Sequence, residues 1–159
     1  MSDETNGMKR RTFLCVLSAA GVASVAPGCG GSTNSTTPFS AGAVTDHPAN
    51  LWKLYAGERV IVGHDAGGYF AYTAICTDQG TTIGFRDGTA CATPTGCTSE
   101  SSNGYTVCPL HMSRYDPVGA VLNGPAASPL NHFQVTIAGG QLTVNPGVTV
   151  AASARTAAA

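Results

Sequence analysis

Apolar and polar positions alternate most clearly near the end of the chain. Phe133, Val135 and Ile137 alternate with Gln134 and Thr136, which puts three apolar side chains on one face of a strand. Ala138-Gly139-Gly140 reads as a turn, after which Leu142 and Val144 resume the alternation. Earlier, Arg59 to Val62 and Tyr69 to Ile75 are rich in β-branched and aromatic residues. Asp65-Ala66-Gly67-Gly68 between them predicts a hairpin turn. Thr81 to Phe85 predicts a further strand. No apolar spacing of helical period runs for a useful length outside the N-terminal leader. The pattern predicts an all-β fold, a small antiparallel barrel or sandwich.

The two ends read differently from this body. Met8-Lys9-Arg10-Arg11 precedes an uncharged run over 12–27 that ends in small residues, the pattern of an export signal. Arg10-Arg11-Thr12-Phe13-Leu14 resembles the twin-arginine signal with which bacteria export folded proteins. Ala26-Pro27-Gly28-Cys29 resembles a lipoprotein processing site, with Gly before Cys as usual and Ala where Leu is commoner. Lipidation at Cys29 would tie the protein to a membrane by burying an acyl chain. Residues 29–45 read as a flexible Gly/Ser/Thr tether. The folded domain is expected over 46–150, and 151–159, rich in Ala, is expected to fray as a disordered tail. Residues 87–104 form a polar, irregular insertion.

Composition narrows the function classes. The 159 residues carry 11% charged side chains and a formal net charge of −1, which excludes nucleic-acid binding through phosphate neutralisation and excludes a charge-rich disordered chain. No run of about 18 strongly apolar residues suggests a permanent membrane span. There is no Gly-rich phosphate loop, and no third group completes Ser113 and His111 as a nucleophile–base pair. His47, His64 and His132 read as surface residues, and Trp52 as core or domain edge.

Six cysteines require an account. Cys76-Thr77-Asp78-Gln79-Gly80 directly follows a predicted strand, and Cys108-Pro109-Leu110-His111-Met112-Ser113-Arg114-Tyr115-Asp116 follows Tyr105-Thr106-Val107. Each segment offers a thiolate and a second donor two or three residues on, so two such loops facing each other would enclose a metal centre. Cys-x-x-His also suits zinc. The plainer alternative makes His111 a polar loop residue and the cysteines buried hydrophobes.

From about Leu51 to Val144 the chain resembles the Rieske [2Fe–2S] proteins, which carry Cys-x-His in one loop and Cys-x-x-His in the other. Here the motifs read Cys76-x-Asp78, Cys108-x-x-His111, Ser113, Tyr115-Asp116 and Gly124-Pro125-Ala126…Pro129-Leu130. The resemblance implies a small antiparallel β domain of three sheets, with a cluster-binding subdomain of two loops. It implies Cys76 and Cys108 on one iron of a [2Fe–2S] cluster, with Asp78 and His111 on the other. Ser113 and Tyr115 would donate hydrogen bonds to cluster sulfurs. The function implied is single-electron transfer with a redox partner protein, as a carrier or an oxidoreductase subunit without its own substrate site. The alternative is a degenerate scaffold binding zinc or no metal, a structural or binding lipoprotein. A periplasmic, membrane-anchored location follows from the leader.

The chain departs from the family pattern in four places. Asp78 replaces a histidine, and its Oδ lies at the same topological distance from the backbone as an imidazole Nδ1. It would make the centre one charge more negative and lower its potential. Thr81 and Leu110 occupy the places of the extra cysteines that high-potential members join as a disulfide. Cys91 and Cys97 lie in the insertion and are expected to form a local disulfide in an oxidising compartment. Met112 stands where the family has Gly.

Overall fold

The computed structural model describes residues 33–85 and 99–157. The leader, Cys29, Cys91 and Cys97 lie outside these residues. The elements are β1 (Phe39–Ala43), a 3-10 turn (Val44–Asp46), β2 (Leu51–Tyr55), β3 (Val60–Asp65), β4 (Gly68–Thr73), β5 (Gly84–Phe85), β6 (Glu100–Ser101), β7 (Thr106–Val107), β8 (Arg114–Tyr115), β9 (Val121–Asn123), β10 (His132–Ala138) and β11 (Gln141–Val150). The fold is all-β and every strand pair is antiparallel, as expected.

Both sequence-predicted hairpins are present. β3 pairs with β4 through Asp65↔Gly68, and the Asp65 carboxylate accepts the Gly67 N–H at 2.8 Å, which fixes the turn. β10 pairs with β11 through Ala138↔Gln141. Only Gly84–Phe85 of the expected Thr81–Phe85 strand joins a sheet, and Thr82 makes an isolated bridge to Ile75.

Seven strands form one sheet in the order β1-β11-β10-β4-β3-β2-β6, and four short ones form a second in the order β5-β7-β8-β9. The larger sheet curls until its first strand meets its sixth. The Phe39 and Tyr55 rings stand 5.5 Å apart, and the Tyr55 hydroxyl donates to the Ala41 carbonyl. The larger sheet is thus rolled into a nearly closed barrel. Val60, Val62, Tyr69, Ala71, Leu142 and Val144 fill its interior. The alternate residues of β3 and β4, Ile61, Phe70 and Tyr72, face outward into a second core shared with Cys76, Phe85, Cys108, Tyr115 and Leu130. Strands buried on both faces lose period-two alternation, which is why β3 and β4 read as continuous apolar runs.

Trp52 ties the two sheets together. It is buried, and its Nε1–H donates to the Pro117 carbonyl at 2.8 Å. Its ring lies so close to Gly63 that a Cβ there would meet it at 2.7 Å. Gly63 is therefore a packing requirement of the interlayer contact.

Three expectations are corrected here. The tether folds from Asn34 onward: Asn34 Nδ2 donates to the Glu58 carbonyl at 2.9 Å and the Arg59 carbonyl at 2.7 Å, while its Oδ1 accepts from Thr73 Oγ1 at 2.6 Å. β1 lies in the same stretch. Its Gly- and Ser-rich composition hid a strand whose stability comes from backbone pairing with β11. At the other end, 151–157 does not fray. Tyr69 bridges Thr156, Arg155 pairs with Asp65 at 2.8 Å, and the guanidinium lies 3.9 Å over the Phe70 ring.

The histidines are the third correction. His47 and His132 are buried and His64 is half-buried. His47 closes the barrel, with Nε2 3.0 Å from the Ala41 carbonyl and 2.9 Å from the Tyr55 hydroxyl. His132 Nε2 donates to the Val118 carbonyl at 2.8 Å, and its ring stacks at 6.1 Å on Phe70. His64 stacks on Tyr69 at 4.0 Å. Aromatic stacking and one backbone acceptor each are enough to bury His47 and His132 and to half-bury His64.

Candidate metal centre

The two cysteine loops are built alike. The first springs from the end of β4 and is closed by the Ile75↔Thr82 bridge; the second joins β7 to β8 and is closed by Val107↔Arg114. Within the first, Cys76 N–H donates to the Thr81 carbonyl at 2.8 Å and Gly80 N–H to the Cys76 carbonyl at 2.9 Å. Within the second, Cys108 N–H donates to the Ser113 carbonyl at 2.8 Å and Met112 N–H to the Cys108 carbonyl at 2.9 Å. The correspondence holds position for position. Gly80 and Met112, both fifth in their loops, take left-handed backbone with φ of 71° and 62°.

Each fold of backbone makes a cradle for its own sulfur. The Asp78 and Gln79 N–H groups favour charge on Cys76 Sγ, and those of Leu110 and His111 favour it on Cys108 Sγ. Both thiols are free and 1% exposed, and each influences the other's ionisation. Burial pushes the Cys76 thiol up, but the Tyr115 hydroxyl, the two N–H groups and the Cys108 side chain outweigh it and hold Cys76 below the ordinary thiol range. At Cys108 burial wins. Its N–H donors oppose the rise, and a charged Cys76 beside it adds to it. The pair is poised to lose its first proton at Cys76, and the thiolate is the form that binds metal.

The loops differ in where they carry the second donor. Asp78 is third in its loop and His111 fourth in the other, yet the two meet: His111 Nδ1–H donates to Asp78 Oδ2 at 2.6 Å. The imidazole is 39% and the carboxylate 21% exposed, so this pair faces solvent while the thiols face the core. Among the described residues, no three His, Cys, Asp or Glu side chains converge as a single-ion site requires. The donors come as two pairs instead. A two-iron cluster takes one pair per iron, whereas a lone tetrahedral zinc needs all four donors around one point.

The surroundings fit the same group. Tyr115 is buried and its hydroxyl lies 3.4 Å from Cys76 Sγ. Burial and the neighbouring Cys76 push the phenol up to about 12, so it remains a donor. Ser113 is buried, and its Oγ accepts the Ala126 N–H at 2.9 Å, which leaves its own proton to donate. Thr77 was not singled out by the sequence reading. Its N–H donates to the Tyr115 hydroxyl at 3.2 Å and its Oγ1–H to the Ser128 carbonyl at 2.7 Å, joining the first loop to the 124–130 segment. Nothing in the sequence marks a threonine for such a role. Of the expected site residues, Cys76 meets Tyr115, Asp78 meets His111 and Cys108 pairs with Ser113 through the backbone.

Comparison with known proteins agrees. Residues 41–134 match the family described as Rieske [2Fe-2S] domain. The chain is similar to the cytochrome b6-f complex iron-sulfur subunit of Synechococcus sp. (strain CC9605), 28% identical over 86% of this chain and 84% of that one. It is also similar to the subunit of that name from Chlorobaculum tepidum, 26% identical over 67% of this chain and 52% of the other. Among solved structures, the cyanobacterial plasma membrane Rieske protein PetC3 from Synechocystis PCC 6803 aligns with a TM-score of 0.47 and 22% identity, covering 67% of this chain and 97% of that one. With donor pairs that suit two irons and a family match over more than half its length, this chain belongs to the Rieske [2Fe–2S] family and is an iron–sulfur electron-transfer protein.

Proposed function

We propose that the chain is an exported carrier of single electrons, or the small subunit of an oxidoreductase, in which Cys76 and Cys108 hold the inner iron and Asp78 and His111 the outer one. The observation that carries this reading is the meeting of Asp78 Oδ2 with His111 Nδ1 at the exposed end, over a buried pair of free thiols. Donors sharing one tetrahedral metal with bonds of about 2 Å stand roughly 3.3 Å apart, so these two need only part slightly to admit it. When bound, the cluster supplies reversible uptake of one electron. The protein holds it by thiolates already cradled by backbone N–H groups, offers the Ser113 and Tyr115 protons to its sulfurs, and leaves His111 at the surface. Leu110, 51% exposed, and Met112 flank His111 and give a partner an apolar landing area.

The relatives named as iron-sulfur subunits of the cytochrome b6-f complex favour a partner at a membrane. Arg10-Arg11, the apolar run after them and Cys29 favour export of the loaded protein and a lipid anchor. A Cys91–Cys97 disulfide belongs to the same picture.

The test is the metal content of anaerobically purified full-length chain. Two irons and two acid-labile sulfides per chain, a brown colour and a rhombic EPR signal on reduction are expected. Zinc, or no metal, in the purified chain overturns the reading. For the anchor, Cys29→Ala is expected to release the protein from the membrane fraction; a variant that still partitions there overturns lipidation at Cys29.

A further inference from the structure

Arg59 stands outside the ligand set, yet it touches both feet of the loop that carries Cys76 and Asp78. Its own carbonyl accepts the Ala74 N–H at 2.7 Å, two residues before Cys76. Its guanidinium reaches the far foot: Nε–H donates to Thr82 Oγ1 at 3.0 Å and Nη2–H to the Gly80 carbonyl. Gly80 in turn donates to the Cys76 carbonyl, so a single side chain spans the closure of the loop. The backbone at Arg59 is left-handed, with φ 56°, a conformation that costs an ordinary residue free energy and persists only where its surroundings hold it. The Asn34 amide, donating to the same Arg59 carbonyl at 2.7 Å, is part of that hold.

Among the described residues, no side chain clamps the second loop in this way. Its closure is a true strand pair, β7 with β8, inside the smaller sheet. The first loop closes on one isolated bridge, Ile75↔Thr82, and lies off the end of β4. Two loops of the same backbone design thus rest on unequal foundations, and Arg59 stands at the weaker one.

The guanidinium also brings charge. Among the described residues no carboxylate lies within salt-bridge distance of it. A half-buried cation on the carbonyl of the fifth residue of the loop opposes the extra negative charge that Asp78 brings.

We propose that Arg59 is a positioning residue for the metal centre, clamping the Cys76 loop at both feet and favouring the reduced form by its charge. The charge half rests on the ligand assignment above; the clamp half rests on this chain's own hydrogen bonds.

The experiment compares Arg59→Gln and Arg59→Lys with the parent, using full-length protein as purified. Amide hydrogen exchange is read at Cys76, Gly80 and Ile83, with Cys108 and Met112 of the other loop as internal control. In Arg59→Gln, exchange at the first loop is expected to quicken by about tenfold or more, with the second loop unchanged. Arg59→Lys keeps the cation but cannot span both acceptors, so it is expected to lose protection as well. An EPR-monitored titration is expected to give a lower midpoint in Arg59→Gln than in Arg59→Lys. First-loop amides that exchange as in the parent, or both loops quickening equally, overturn the clamp. Equal midpoints in the two variants overturn the charge role. The exchange reading needs no iron, so its failure is distinct from absence of the cluster, which metal analysis of the parent reports.

Discussion

Asp78 and His111 come from different loops and from different positions within them, yet Oδ2 and Nδ1 lie 2.6 Å apart. The two residues stand third and fourth in loops whose backbone hydrogen bonds match, so the pair joins unmatched positions. A carboxylate in that place adds a negative charge that an imidazole does not. Asp78→His is therefore expected to raise the midpoint potential into the range of two-histidine centres, about −150 to +300 mV. An EPR-monitored titration of parent and variant reads this directly; a variant at or below the parent value would rule out Asp78 as a ligand.

Tyr115 tests the second set of contacts. Its hydroxyl is 3.4 Å from Cys76 Sγ, and a donor to a cluster sulfur favours the reduced state. Tyr115→Phe keeps the ring in the core and removes only the hydroxyl. If the bond is worth about 1 kcal/mol, the midpoint is expected to fall by roughly 40 mV, since a tenfold change in a one-electron equilibrium is about 59 mV. The Thr77 N–H also loses its acceptor in this variant, so a modest drop in stability is expected beside the shift.

Met112 is a side chain in a glycine's conformation. Its φ of 62° matches that of Gly80 at the equivalent place, and an L-residue there costs roughly 1–2 kcal/mol. Glycine relieves that strain and gives back part of the gain as entropy of the unfolded chain. Met112→Gly is expected to stabilise the fold by about 0.5–1 kcal/mol, read from the urea midpoint of the metal-free protein. A lower midpoint would mean that the thioether packs more than its exposure suggests.

The buried histidines set the acid limit. Burial holds His47 and His132 below the ordinary imidazole range, while backbone carbonyls at Ala41 and Val118 pull the other way. Protonation would place a charged N–H at the Nδ1 atoms, which are buried without a partner among the described residues. With folded values depressed, the unfolded chain takes up protons first as pH falls below about 6.5, so stability is full above that point and declines below it. Thermal unfolding of the metal-free chain from pH 8 to pH 5 is expected to show that decline. It should flatten in His47→Gln, whose amide can still donate to the Ala41 carbonyl. An unchanged slope would assign the acid limit to other groups.

Much of this architecture was readable in advance, and particular residues show why. Phe133, Val135 and Ile137 alternate because β10 presents one face to the barrel interior. The β3–β4 hairpin was legible from its turn, although both its faces are buried. Cys76, Cys108 and His111 were legible because they match a family motif of fixed residue type and spacing. What escaped was structure made mainly by backbone pairing. β1 is held by its pairing with β11, and the short β6 to β9 carry too few side chains to leave a pattern. Arg59 and Thr77 escaped for another reason: each acts on a main-chain carbonyl far away in sequence, and a carbonyl has no letter in the code.

The three hydrogen bonds of Asn34 also set how far the redox head could roam. A slack leash from an acylated Cys29 to Thr45 would extend about 50 Å at roughly 3.3 Å per residue. With the chain captured at Asn34, the contour from Cys29 to that point is at most about 17 Å. If Cys29 carries the proposed acyl anchor, electrons would be exchanged within a thin layer above the lipid headgroups, with partners that come to the bilayer.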